Sequence, residues 1–160
     1  MRRAGQDDVA RLTEVYSDAL EHANNVGHID WPNPCTADFV SELVSTGELY
    51  CFGKDLVLAA AKVSSYPDFR IWKDAGKSGL YLAKIATSSQ VRGTRYFERN
   101  MLREIADLAV DGAPIRLDCL ADNPRLKTFY SGIGFSEVGD VTFYSEKQNK
   151  HLTVTRFEIK

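Results

Sequence analysis

The order of hydrophobic patterns along the chain predicts an α+β fold on a mixed β-sheet flanked by helices. Three observations carry that reading. The run Leu80-Tyr81-Leu82-Ala83-Lys84-Ile85-Ala86-Thr87 is short, almost continuously apolar and rich in β-compatible residues, as expected of a central strand covered on both faces. The stretch that follows changes to helical spacing, with Phe97, Met101, Ile105, Leu108 and Ala109 on one stripe and Glu98, Arg99, Arg103, Glu104 and Asp107 opposite. Taken whole, the elements run β-α-α-β-β-β-α-β-α-β-β, strands and helices interleaved without a repeat or a linker. At 160 residues the chain suits one domain, residues 1–160, with a proper core.

In order, Arg2-Arg3-Ala4 reads as the end of a first strand. Asp7 or Asp8 can cap a helix whose stripe is Val9, Leu12, Tyr16, Ala19 and Ala23. Residues 24–34 have no period and include Pro32 and Pro34, so they form a loop. Thr36 caps a second helix carrying Phe39, Val40, Leu43 and Val44, which stops at Gly47. Leu49 to Phe52, the turn Gly53-Lys54-Asp55, and Leu56 to Val63 make a β-hairpin. Ser64 to Gly79 is polar and irregular but carries Tyr66, Phe69 and Trp72.

Between the Leu80 strand and the helix lies Ser88-Ser89-Gln90-Val91-Arg92-Gly93. The first N–H groups of a helix have no internal partner, and its dipole turns a positive end toward such a loop. Arg92, Arg95 and Arg99 add full charges, so the unit suits an anion; an ordinary strand-to-helix connection with solvated arginines is the alternative. Asp111-Gly112-Ala113-Pro114 ends the helix. A second strand, Ile115 to Leu120, leads to Asn123-Pro124-Arg125-Leu126, then Phe129-Tyr130 and Gly134-Phe135. A strand to about Ser145, a charged turn at 146–150 and a strand from His151 to Ile159 complete the chain. In that strand Leu152 and Val154 share one parity and Phe157 and Ile159 the other, which predicts a bulge or an exit from the sheet near Thr155-Arg156.

From Leu80 to about Val138 the sequence resembles the GNAT superfamily of acyl-CoA-dependent N-acetyltransferases. The resemblance rests on the Leu80 strand, Arg92-Gly93, the Ile115 strand, Asn123, Tyr130 and Gly134-Phe135. It implies a GNAT-like fold whose mixed twisted β-sheet splays between the Leu80 and Ile115 strands to admit the pantetheine of acetyl-CoA. It implies further that the backbone of Val91, Arg92, Gly93, Thr94, Arg95 and Tyr96 anchors the pyrophosphate, with Arg92 and Arg95 as charged helpers. Ile85 and Thr87 would hold the pantetheine and polarise the thioester carbonyl, Asn123 would lie near the cofactor, and Tyr130 would be the general acid. The loop departs from the family's Gln/Arg-x-x-Gly-x-Gly/Ala. Read from Gln90 it keeps Gly93 but has Arg95 at the last small position; the frame that aligns Arg92-Gly93 puts Arg95 and Phe97 at the later small positions.

The residues leave several roles open. Tyr130 is either the acid or a core aromatic beside Phe129, and Asn123 before Pro124 is also a good helix N-cap. Many members of the family carry a Glu on the strand matched by Leu80 to Thr87; here Lys84 and Tyr81 are its ionisable residues. Asp118 has Arg116 beside it as a pairing partner, and Asp30, Asp68 and Asp74 lie in loops, so no residue stands out as the base. Trp31 and His28 in one loop, and Tyr66, Phe69 and Trp72 in another, either recognise an apolar or cationic acceptor or plug the open end of the sheet.

A net charge of −2 argues against a general nucleic-acid or membrane-surface binder. No apolar run reaches the roughly 20 residues that span a bilayer, and no signal peptide opens the chain. Three cysteines, Cys35, Cys51 and Cys119, far apart and odd in number, suit a reducing cytoplasm. Neither they nor His22, His28 and His151 have metal-ligand spacing, so no metal is expected. The resemblance leaves two functions: an N-acetyltransferase that moves acetyl from acetyl-CoA to a small-molecule or peptide amine, or a non-catalytic module that binds acyl-CoA or another metabolite. A homodimer is left open.

Overall fold

The computed structural model describes residues 1–26, 34–73, 79–146 and 148–160, and of residues 25, 26 and 111 the backbone alone. The strands are β1 (Arg2–Arg3), β2 (Leu49–Phe52), β3 (Ala59–Ser64), β4 (Leu80–Thr87), β5 (Ile115–Leu120), β6 (Ser136–Ser145) and β7 (Lys150–Ile159). The helices are α1 (Val9–Val26), α2 (Ala37–Ser45), α3 (Leu102–Ala106) and α4 (Pro124–Gly132). The strands form one mixed seven-stranded sheet in the order β1-β2-β3-β4-β5-β7-β6, so the predicted α+β class and element order are the ones observed. The chain divides into two compact units, one of Met1–Val63 with Lys84–Asp107, the other of Ser64–Ala83 with Leu108–Lys160.

The first unit is built from α1, α2, β1 to β3 and the end of β4. Its core gathers Leu12, Val15, Tyr16 and Leu20 of α1 with Val40, Val44, Leu49, Cys51, Ala60 and Ala86. The stripe read from the sequence thus meets the alternating face of a sheet. Thr36 caps α2 as its position predicts, accepting from the Phe39 amide at 3.2 Å. The hairpin is shorter than the sequence pattern suggests, because β3 starts at Ala59 rather than Leu56. Gly53 turns with φ 123°, and a Cβ there would lie 2.0 Å from the Leu56 carbonyl oxygen. That crowding spends residues 53–58 on the turn, closed by the Leu58 amide on Phe52 O at 2.9 Å.

The helical stretch after the loop also differs in length. It opens with a π turn, Phe97–Met101, continues as α3 and stops at Ala106, short of Leu108 and Ala109. Phe97, Met101 and Ile105 are buried. They are spaced by four, and the wider π turn keeps such a row on one line where a regular α-helix would drift. A separate 3₁₀ turn, Val110–Gly112, precedes β5.

The second unit holds β5, β7 and β6 in antiparallel order, with α4 and the first half of β4. Parallel pairs join β4 and β5 from Leu80↔Ile115 to Leu82↔Leu117. The irregularity predicted near Thr155-Arg156 comes from the partner strand. The register passes from Glu137↔Phe157 to Gly139↔Arg156, so β6 carries the extra residue. Val154 to Phe157 consequently stay buried in succession.

Candidate active site

In the first unit the candidate cofactor residues follow one another from β4 into the loop. Lys84 takes a left-handed conformation, φ 50°, in the middle of the strand, and its carbonyl accepts from the buried Tyr16 hydroxyl at 2.7 Å. Ile85 and Thr87 beyond it are half-buried. The chain then coils: the Val91 and Arg92 amides donate to Ser88 O, each at 3.1 Å, and the Thr94 amide to Val91 O at 3.3 Å. Gly93 and Arg95 both lie in the left-handed region, φ 78° and 60°. Among the described residues nothing stands within 4 Å of a Cβ built at Gly93, so its glycine serves backbone conformation rather than space. Arg95 adopts that conformation at a cost of about 1–2 kcal/mol for an L-residue. Arg95 thus has a backbone of the kind glycine favours, at the position where the loop motif calls for a small residue.

The arginines do not stand free as the sequence suggests. Arg92 Nη2 donates to Asp18 Oδ1, Asp18 O and Thr87 O, each at 3.1 Å. Arg95 makes a two-point pair with Glu98, at 2.7 and 2.8 Å. Both guanidiniums sit in internal ion pairs because an acid lies within reach of each: Asp18 on α1, and Glu98 three residues along. Asp18 also accepts from the Ser89 amide at 2.5 Å. Burial pushes its carboxyl up, but the hydrogen bonds from Ser89 and Arg92 outweigh burial and hold it below the usual range. Sequence reasoning missed Asp18, which is one polar residue among several on the outer side of an amphipathic helix. Ser88 is 2% exposed, and its buried hydroxyl has no hydrogen-bond partner among the described residues. An orphaned hydroxyl, two left-handed residues and an open Gly93 on one short loop fit a phosphate ligand held by backbone groups.

The second unit holds the other candidates. Asn123 is buried and accepts from the Leu126 amide at 3.0 Å, so it does cap α4, with Pro124 at the first helical position. Tyr130, 7% exposed, packs on Phe129, Phe135 and Phe157 with ring centroids 5.5, 6.0 and 5.5 Å away. Burial raises its hydroxyl pKa, which keeps the group a proton donor through the neutral range. Burial likewise pushes the Cys119 thiol up to about 11, an unreactive state.

The aromatic candidates separate. Tyr66 and Phe69 are 77% and 69% exposed. Trp72 is 4% exposed and belongs to the core rather than to a loop surface. Its ring meets Tyr81 edge-on at 5.7 Å, with the guanidiniums of Arg116 and Arg156 at 5.6 and 5.5 Å from its centroid. Arg116 in turn donates to Tyr81 Oη at 2.8 Å and to Glu158 at 2.9 Å, so its carboxylate partner there is Glu158 on β7. Asp118 stands opposite Arg156 in the β5–β7 register. Trp31, with His28, Asp30 and Asp74, lies outside the described residues. Among the described residues no three His, Cys, Asp or Glu are grouped to hold a metal ion, and no helix is long and apolar enough to cross a membrane.

No family model matches the sequence. An uncharacterised N-acetyltransferase of Bacillus subtilis strain 168, YesJ, is 25% identical over 144 residues, covering 83% of this chain and 79% of that protein. A GNAT-family acetyltransferase from Streptococcus agalactiae superposes with a TM-score of 0.74 at 17% identity, over 99% of this chain and 95% of its own. One from Listeria monocytogenes gives 0.69 at 20% identity, over 99% and 93%. A putative acetyltransferase from Salmonella typhimurium, solved with its cofactor acetyl-CoA, gives 0.65 at 15% identity, over 99% and 91%. The chain thus shares the fold of these GNAT-family acetyltransferases and is similar in sequence to the Bacillus subtilis N-acetyltransferase.

Proposed function

We propose that the chain is an N-acetyltransferase that takes acetyl from acetyl-CoA and passes it to a primary amine of a small molecule or peptide. The observation that carries the reading is the loop after β4, where Gly93 and Arg95 share a left-handed backbone. Acetyl-CoA supplies the thioester. The backbone of Val91 to Tyr96 would hold its pyrophosphate, with Arg92 and Arg95 close by, and the backbone of Ile85 and Thr87 its pantetheine. Thr87 O already accepts one hydrogen bond from Arg92 and keeps a second lone pair. Asn123 secures the start of α4, the helix that carries Tyr130. Tyr130 would give its proton to the departing sulfur, a role suited to a hydroxyl kept neutral by burial. Exposed Tyr66 and Phe69, together with Trp31, would meet the acceptor, while buried Trp72 supports their loop. With three free cysteines, all buried, a reducing cytoplasm is the fitting compartment.

One observation favours a different reading, a binding module without catalysis. Arg92 and Arg95 are engaged by Asp18 and Glu98, which lowers the positive charge offered to a phosphate. Thermal melting with CoA, followed by thiol release over a panel of amines, separates the two. Ligand at a hundredfold its Kd should stabilise the fold by about 2.7 kcal/mol, and at least one amine should release thiol. Stabilisation without release supports a module that binds acyl-CoA; no shift at millimolar CoA removes the acetyltransferase and leaves a module for another metabolite.

A further inference from the structure

We infer that Asp18 is a positioning residue for acyl-CoA, one that fixes the loop after β4 in its binding shape. The inference rests on reading that loop as the CoA anchor. Two residues of the loop, Ser89 and Arg92, converge on Asp18. The Ser89 amide donates to Oδ2 at 2.5 Å. Arg92 Nη2 donates to Oδ1 and to the main-chain oxygen, both at 3.1 Å, and reaches Thr87 O at 3.1 Å as well. The end of β4, the first turn and the residue before Gly93 are thereby tied to α1.

Charge alone would forbid an acid here. A carboxylate beside a pyrophosphate repels it, and Asp18 also occupies the arginine that could attract one. An acid at such a place is consistent with ligand binding if its effect on loop shape outweighs its effect on charge. Its bonds are charge-assisted, the stronger kind, and they restrain the turn that leads into Gly93 and Arg95, whose left-handed backbone shapes the anchor. The two roles predict opposite signs. If Asp18 acts by charge, its removal frees Arg92 and tightens CoA. If it positions, its removal loosens the loop and weakens CoA, although a positive charge has been released.

The test measures CoA affinity by calorimetry and amide hydrogen exchange of residues 88–92 without ligand, in wild type, Asp18→Ala and Asp18→Asn. The expected result is a rise in the CoA Kd of about tenfold in Asp18→Ala, the worth of one charge-assisted hydrogen bond. Exchange in 88–92 should quicken, and Asp18→Asn, which keeps an oxygen for the Ser89 amide, should fall between. In turnover, KM for acetyl-CoA should rise while KM for the amine holds. Unchanged or tighter CoA binding in Asp18→Ala overturns the inference, and so does a rise confined to the amine KM or weaker binding with exchange unaltered. Should Asp18→Ala fail to fold, Asp18→Asn is read by the same signs. If wild type itself binds no CoA, the functional reading falls and the positioning role with it; the other adverse outcomes leave that reading standing.

Discussion

The loop of residues 88–96 and the segment from Asn123 to Tyr130 are built on opposite principles. The loop gets its shape from main-chain conformation, left-handed at Gly93 and Arg95, and its charged side chains turn aside to Asp18 and Glu98. The α4 segment gets its shape from side chains: Asn123 caps, Pro124 starts the helix, and Tyr130 seats its ring among Phe129, Phe135 and Phe157. Residue identity therefore matters differently in the two. A backbone anchor tolerates a changed side chain wherever the dihedral angles survive. A hydroxyl acting as acid tolerates none.

The largest expected effect tests the side-chain half. Tyr130→Phe keeps the ring and its packing but removes the hydroxyl. If that hydroxyl protonates the leaving sulfur, kcat should fall by roughly 10²–10⁴, with the melting temperature and CoA affinity close to wild type. Steady-state kinetics beside a calorimetric Kd decide it. A fall of less than about threefold, far short of an acid's contribution, would leave Tyr130 a core aromatic and erase the contrast.

The next effect tests the backbone half. Gly93→Val places a β-branched residue at φ 78°, a conformation costing an L-residue about 1–2 kcal/mol. Space is free around the position, so the penalty falls on loop shape rather than on packing. CoA affinity should drop about tenfold and kcat at saturating acetyl-CoA should change little. If CoA binds Gly93→Val as tightly as wild type, the loop conformation is not what anchors it.

What the sequence revealed follows the same division. β4, the caps at Thr36 and Asn123, and the β6–β7 hairpin were legible because local patterns determine them: an apolar run, a Thr or Asn before a helix, two strands around a charged turn. The early end of α3 and the π turn were not. Phe97, Met101, Ile105 and Leu108 satisfy an ordinary helical stripe, and nothing local distinguishes the wider turn that they adopt. Asp18 was illegible because its partners, Ser89 and Arg92, are more than seventy positions away. Trp72 stayed ambiguous for a similar reason: an aromatic in an irregular segment reads equally as a recognition ring or a plug until Tyr81, Arg116 and Arg156 are known to surround it.

The smallest effect sharpens the contrast most, because it asks whether the Arg95 side chain contributes anything beyond its backbone. Arg95→Gly relieves a left-handed cost of about 1–2 kcal/mol. It also gives up the half-exposed pair with Glu98, worth about 0.2–1 kcal/mol. Replacing a side chain by glycine further adds about 0.4–1 kcal/mol of unfolded-chain freedom. These terms nearly cancel, so stability should move by less than about 1 kcal/mol, or about 2–4 °C for a chain of this length. Binding is where the two ideas part. If the loop acts through its backbone, Arg95→Gly binds CoA as well as wild type or somewhat better, since glycine adopts φ 60° without strain. If the guanidinium leaves Glu98 to meet a phosphate, affinity falls and its dependence on salt weakens as one charge contact is lost. Calorimetric titration of CoA at two ionic strengths reads both quantities, and a lower affinity with a flatter salt response would return Arg95 to the anchor as a charge.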